Sequence, residues 1–244
     1  MTDTAVLAVV IFAAAVLYSS VGHAGASGYL AAMALFGVAP EVMKPTALTL
    51  NIAVAIVTSV RFYRAGHFSW PLSWPFIAAS VPLAFIGGAI TLPSAVYRVL
   101  VGLVLLFAAY RLFLYGEEET ERRRPRLLTA LLWGAALGFV SGLTGVGGGI
   151  FLSPLLLFMG WASFREAAGV SAVFILLNSA AGLAGHLSSV QSLPPAAFVW
   201  AVAAVLGGLV GSEIGVRRIA EVTLRRLLGL VLVITGAKLI LVRR

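Results

Sequence analysis

Six apolar runs fix the solvent of this chain before any other feature is considered. Ala47–Val60, Trp74–Leu92, Val99–Ala109 with its flanks, Ala167–Leu187, Ala196–Val216 and Leu227–Val242 each carry at most one formal charge. Several approach or exceed the ~20 residues that a helix needs to cross a bilayer. A soluble domain is about one-quarter charged, whereas this chain of 244 residues is 11% charged and 61% hydrophobic. In lipid every backbone N–H and C=O must be bonded internally, which leaves helices or a closed barrel. Runs of this length select helices, so the chain reads as an all-α polytopic membrane protein.

The net charge of +8 would suggest nucleic acid in a soluble protein. Here the basic residues sit in short loops between apolar runs, where they set topology and meet anionic lipid. No nucleic-acid partner is expected. The N-terminus, MTDTAVLAVVIFAAAVLY, has an apolar core with no basic residue before it, which reads as a retained first segment rather than a cleaved signal peptide. The chain has no cysteine, which excludes disulfides and thiolate metal sites.

The one polar stretch long enough to be a linker is GEEETERRRPR, Gly116–Arg126, and the sequences on either side echo each other. SSVGHAGASGYLAAMALFG (Ser19–Gly37) aligns without gaps on SGLTGVGGGIFLSPLLLFM (Ser141–Met159). AGHFSW and AGHLSS, FIGGAI and VLGGLV, and RVLVGLVLL and RRLLGLVLV then follow in the same order. This is an internal duplication, with repeats at 1–115 and 127–244 joined by the linker 116–126. Each repeat divides into five helical elements. The first gives Ala5–Val21, Tyr29–Val38, Lys44–Tyr63, Pro71–Leu92 and Val96–Tyr115. The second gives Leu127–Leu143, Ile150–Gly160, Arg165–Leu187, Pro195–Val216 and Val222–Val242.

The second element of each repeat has about ten residues, or ~15 Å of helix, half the hydrocarbon thickness. The first two elements therefore read as a broken or re-entrant hairpin whose tip lies inside the membrane. Loop charge tests the count. With five elements per repeat, twelve arginines, from Arg61 and Arg64 through the linker to Arg225 and Arg226, fall on one side; Lys44, Arg98, Lys238, Arg243 and Arg244 fall on the other. The positive-inside rule then makes the linker cytoplasmic. An odd count also inverts the two repeats, an arrangement common in transporters.

The stretch SGLTGVGGGIFLSP, Ser141–Pro154, packs five glycines between two apolar runs. Glycine in a helix interior costs roughly 1 kcal/mol relative to alanine, so this density ends a helix or lets something approach the backbone. Irregular backbone inside a membrane is tolerated only when buried in protein or lining a water-filled cavity. Tyr29 and Ile150 begin helices just after the glycines, so free N–H groups and positive dipole ends would face one shared site. Such termini bind anions without a buried cation. The candidate donors are Gly25, Ser27 and Gly28 on one tip, and Ser141, Thr144, Gly147, Gly148 and Gly149 on the other. His23 would donate to an anion or carry a proton. Asn51 and Asn178 lie inside the third elements, where amides are costly unless paired; they would complete the lining or bond across helices. The competing reading is plain helix packing, since Gly145 and Gly149 have GxxxG spacing; the duplicated placement favours a site.

Other polar residues read as structural. Lys44 serves as an interfacial anchor or an entrance charge, His67 and His186 as helix C-terminal caps, and Glu213 as a partner for Arg217 one turn away. Neither a metal-ligand cluster nor a catalytic triad is apparent, so no cofactor is expected and the chain does not read as an enzyme.

GHAGASGYLAAMALFG and SGLTGVGGGIFLSPLLLFMG, with KPTALTLN and the Gly-Gly repeats, resemble the TauE/SafE family of sulfite exporters over nearly the whole chain. Members are bacterial, archaeal and plant permeases. The resemblance implies a carrier of sulfite or a related small sulfur oxyanion or organosulfonate in the inner membrane, with protons as candidate co-transported ions. The first tip departs from the second, because His23, Ala24, Ala26 and Ser27 stand at glycines or their neighbours. An anion channel of the same architecture is the alternative, and a membrane enzyme using His23, His67 and His186 is a more distant one. Glycine-rich faces also admit a homodimer.

Overall fold

The computed structural model describes residues 2–114, 124–186 and 193–217, with isolated positions at 233, 236, 237, 240 and 241. Among these residues helix is the regular structure, in nine elements. They are α1 (Thr2–Ser20), α2 (Ala26–Leu35), α3 (Pro40–Arg64), α4 (Trp70–Ala89), α5 (Ser94–Leu114), α6 (Leu127–Thr144), α7 (Gly149–Phe158), α8 (Phe164–His186) and α9 (Ala196–Arg217). Apart from those isolated positions, the expected element Val222–Val242 lies outside the described residues, as does the linker up to residue 123. Five helices, α3, α4, α6, α8 and α9, are long and apolar enough to cross a membrane. Phe198, Leu128 and Val9 are more than 60% exposed on the outside of the bundle, as a protein solvated by lipid requires.

Several boundaries move for local reasons. The third helix starts at Pro40 rather than Lys44, because proline at the first helical position fits φ and sacrifices no hydrogen bond. The second starts at Ala26 rather than Tyr29, directly after left-handed Gly25. That shift brings Ser27 and Gly28 into its first turn. Helices α2 and α7 have ten residues each.

Packing cuts across the chain order. Helices α1 and α9 form one extensive pair, α4 and α6 another, and α3 crosses α8 between them while touching α9. Both outer pairs close backbone to backbone. A Cβ added to Gly134, Gly138 or Gly142 of α6 would overlap the carbonyl oxygens of Phe76, Ser80 or Ala84 on α4. Gly207, Gly211 and Gly215 of α9 stand in the same relation to Phe12, Val16 and Ser20 of α1. Small residues one turn apart let helices approach this closely, and van der Waals contact replaces the hydrophobic driving force that lipid does not supply. The larger side chains gather elsewhere: Tyr29, Met33 and Leu50 in one buried cluster, Phe76, Leu152 and Phe174 in the other.

Three charged groups have settled positions. Lys44, expected at an interface, is 5% exposed. Its Nζ donates to the carbonyls of Gly88 at 2.9 Å and Ile90 at 3.2 Å, satisfying the last turn of α4 from α3. Glu213 of α9 pairs with Arg61 at the end of α3, a partner 152 residues away that helix periodicity does not reveal.

Candidate functional site

The α1–α2 connection is a tight reversal. Gly22 (φ 79°) lets α1 end with the Gly22 N–H bonded to Ser19 and the His23 N–H bonded to Tyr18, the paired bonds of a glycine C-cap. This places His23 at the tip. In the α6–α7 connection the Gly145 N–H bonds back to Ser141, and left-handed Gly148 (φ 78°) opens α7. Residues 24–30 of the first tip and 144–150 of the second are buried throughout.

The two tips meet. His23 Nε2 donates to the Gly149 carbonyl oxygen at 3.0 Å, across 126 residues of sequence. A carbonyl only accepts, so Nε2 carries the hydrogen. Asn51, reaching in from α3, donates Nδ2 to the Val146 carbonyl and to Ser179 Oγ, both at 3.3 Å. A Cβ on Gly147 would stand 2.6 Å from Asn51 Nδ2 and 3.0 Å from Ser179 Oγ. A Cβ on Gly148 would stand 3.2 Å from the Ser141 Cβ, and one on Gly149 3.3 Å from the His23 ring. His23, Asn51, Ser141, Gly147, Gly148 and Gly149 therefore share one neighbourhood, and α8 adds Ser179, Ile175 and Phe174 to it.

The remaining candidates are turned elsewhere. Ser27 donates to the Tyr18 hydroxyl at 2.7 Å, and Tyr29 donates to the Ala24 carbonyl. A Cβ on Gly25 would meet the Tyr29 ring at 2.8 Å, and one on Gly28 would meet Ala14 and Tyr18 at 2.9 Å. The first tip is thus filled by two tyrosines. Thr144 Oγ1 bonds the Val140 carbonyl of its own helix at 2.7 Å, while its carbonyl accepts from Tyr97 at 3.0 Å. Asn178 donates to Ser80 on α4 at 3.0 Å and to the Phe174 carbonyl at 2.8 Å. His186 ends α8, and His67 follows α3, where burial first and Arg165 second hold its imidazole below the usual range.

Ser179 and the three tyrosines escaped sequence reading. Ser179 adjoins Asn178 and gave the only available hint. Tyrosines in apolar runs read as core or interface residues until their hydroxyl partners are seen.

Chemically, the tips present hydrogen-bond donors in a buried setting. The N–H groups of Ala26, Ser27 and Gly28 in the first turn of α2, and of Gly147, Gly148, Gly149 and Ile150 at the start of α7, have no hydrogen-bond partner among the described residues. Helix starts leave such groups free, and the helix dipole favours negative charge there. Lys44 is hydrogen-bonded to α4 carbonyls, and its charge, on a side chain that passes Gly145 of the second tip, adds to the positive potential of these backbone donors.

A family model of sulfite exporters, TauE/SafE, matches residues 7–239. The chain is 39% identical over 244 residues to a probable membrane transporter protein of Sinorhizobium fredii, covering 98% of this chain and 99% of that one. A probable membrane transporter protein of Methanocaldococcus jannaschii is 27% identical over 148 residues, 59% of this chain and 55% of its own length. One from Xylella fastidiosa (strain Temecula1) is 36% identical over 90 residues, 36% and 34% of the two chains. No solved structure matches. With a match running through both glycine tips and every helix described, the chain belongs to the TauE/SafE sulfite exporter family of membrane transporters.

Proposed function

We propose that the chain is a secondary transporter that exports sulfite, or a related small sulfur oxyanion or organosulfonate, across the inner membrane of a bacterial or archaeal cell. It would do so by alternating access between two inverted repeats, 1–115 and 127–244, joined by a cytoplasmic linker at 116–126. In this reading α1–α2 and α6–α7 are re-entrant hairpins, and the anion binds where their tips meet, against Gly147, Gly148 and Gly149 with Asn51 and Ser141 beside them. One observation carries the reading: His23 of the first tip donates to Gly149 of the second, which sets the free donors at the start of α7 beside the first tip. Sulfite titrates near neutral pH, so a proton would cross with the substrate itself.

Radiolabelled sulfite uptake into proteoliposomes tests this, with sulfate, thiosulfate, sulfoacetate and taurine as competitors at two pH values. Saturable uptake inhibited by a subset of these anions is expected. Folded protein that moves none of them under either gradient direction refutes it, and non-saturating voltage-driven current would assign a channel instead.

A further inference from the structure

Two amides in the centre of the bundle are bonded in the same way. Asn51 turns Nδ2 to the Val146 carbonyl, and Asn178 turns Nδ2 to the Phe174 carbonyl. Because a carbonyl accepts and never donates, each amide is fixed with its nitrogen on that side. Both side chains are 0% exposed, and each Oδ1 is a buried acceptor with no partner among the described residues. Buried polar atoms without partners are rare enough in native proteins to need a reason. The amide of Asn51 lies against Gly147 of the second tip, so its Oδ1 stands within the neighbourhood of the free N–H groups. Ser141 Oγ, also fully buried, is unpaired as well. Ser179 Oγ accepts from Asn51, which leaves its own hydrogen to donate.

The second tip thus offers many donors, hydroxyls that can turn either way, and one side-chain acceptor that cannot donate, Asn51 Oδ1; the other ring nitrogen of His23, Nδ1, is likewise a buried acceptor without a partner among the described residues and belongs to the first tip. A fully deprotonated oxyanion has only lone pairs and would set them against Asn51 Oδ1. An oxyanion that retains one hydrogen satisfies both sets. Of the titratable groups nearby, Lys44 donates to the α4 carbonyls and keeps its charge, and His23 Nε2 donates to Gly149.

We propose that the second tip selects a singly charged, hydrogen-bearing oxyanion, whose O–H donates to Asn51 Oδ1 while its other oxygens accept from the tip N–H groups and the Ser141 and Ser179 hydroxyls. This rests on the reading that the tips hold the transported anion, and it narrows that reading: the O–H form of hydrogen sulfite fits, and dianionic sulfate does not.

The test is equilibrium binding to the purified full chain in detergent at one pH, with three probes besides sulfite. Hydrogen selenite is pyramidal, monoanionic and hydrogen-bearing; bromate is pyramidal and monoanionic without a hydrogen; sulfate is a dianion. Hydrogen selenite should bind at least about tenfold more tightly than bromate or sulfate, a ratio equal to about 1.4 kcal/mol. In Asn51→Leu the gap over bromate should close to within about threefold. The wild-type comparison decides the matter even if that variant does not fold. Bromate or sulfate binding as tightly as hydrogen selenite overturns the selectivity while leaving an anion site in place. Binding of none of the four overturns both the selectivity and the site it rests on.

Discussion

Gly147 offers a perturbation whose magnitude follows from the structure and whose control is built into the same chain. Its φ is +82°, and moving alanine into left-handed backbone costs roughly 1–2 kcal/mol. The new Cβ would stand 2.6 Å from Asn51 Nδ2 and 3.0 Å from Ile175 Cγ2 and Ser179 Oγ. Overfilling a packed interior costs about 1–3 kcal/mol, and the displaced Asn51 gives up hydrogen bonds worth about 1 kcal/mol each. Gly147→Ala should therefore cost about 4–7 kcal/mol. Gly66 has φ +75° but nothing within 4 Å of its Cβ position, so Gly66→Ala should cost only the backbone strain of about 1–2 kcal/mol. Thermal unfolding of the purified variants, paired with sulfite uptake normalised to folded protein, separates the two. Gly147→Ala should unfold at distinctly lower temperature and lose at least about tenfold in uptake, whereas Gly66→Ala should transport like the wild type. If the two variants behave alike in both measurements, the reasoning that places Asn51 and the second tip in one functional neighbourhood is wrong.

Three further outcomes are expected. Gly138→Leu forces its side chain into the Ser80 carbonyl of α4; separating the α4–α6 pair should cost more than about 3 kcal/mol and appear as loss of monodisperse protein on size exclusion. Lys44→Met leaves the buried Gly88 carbonyl and the more exposed Ile90 carbonyl without their donor and should destabilise by about 1–3 kcal/mol, with an unchanged unfolding temperature counting against the capping role. Arg61 and Glu213 are 30% and 42% exposed, so solvent screening should keep their coupling energy below about 1 kcal/mol in a double-mutant cycle; a larger value would mean that the pair is shielded from water.

Much of the helical layout was legible because lipid imposes length and apolarity on every spanning segment. The short second elements were visible too, since the glycines preceding Tyr29 and Ile150 interrupt the apolar pattern. What hid from the sequence depends on contacts between distant segments. His23 and Gly149 meet across 126 residues, and Asn51 and Ser179 across 128; no local periodicity encodes either. The Gly-Gly echoes read as marks of a repeat, but not as contacts: Gly87 packs on Phe139 and Gly88 on Gly182, partners in the other half of the chain. Lys44 misled for an electrostatic reason: a lysine beside a helix start reads as an interfacial anchor until the orphan carbonyls at the end of α4 are brought against it.

The glycine ladders also bear on how such a chain is made. Phe12 of α1 faces Gly207 of α9, and the ribosome adds those roughly 195 intervening residues at about 5–20 per second. The first helix therefore waits roughly 10–40 s for its partner. In both outer pairs the glycine triplet arrives on the helix synthesised later, α9 after α1 and α6 after α4. The early helices meet those triplets with residues that carry side chains, Phe12, Val16 and Ser20 or Phe76, Ser80 and Ala84; α1, which has no glycine, waits without bare backbone, whereas α4 still has Gly87 and Gly88 to cover. The order of synthesis and the asymmetry of the ladders agree.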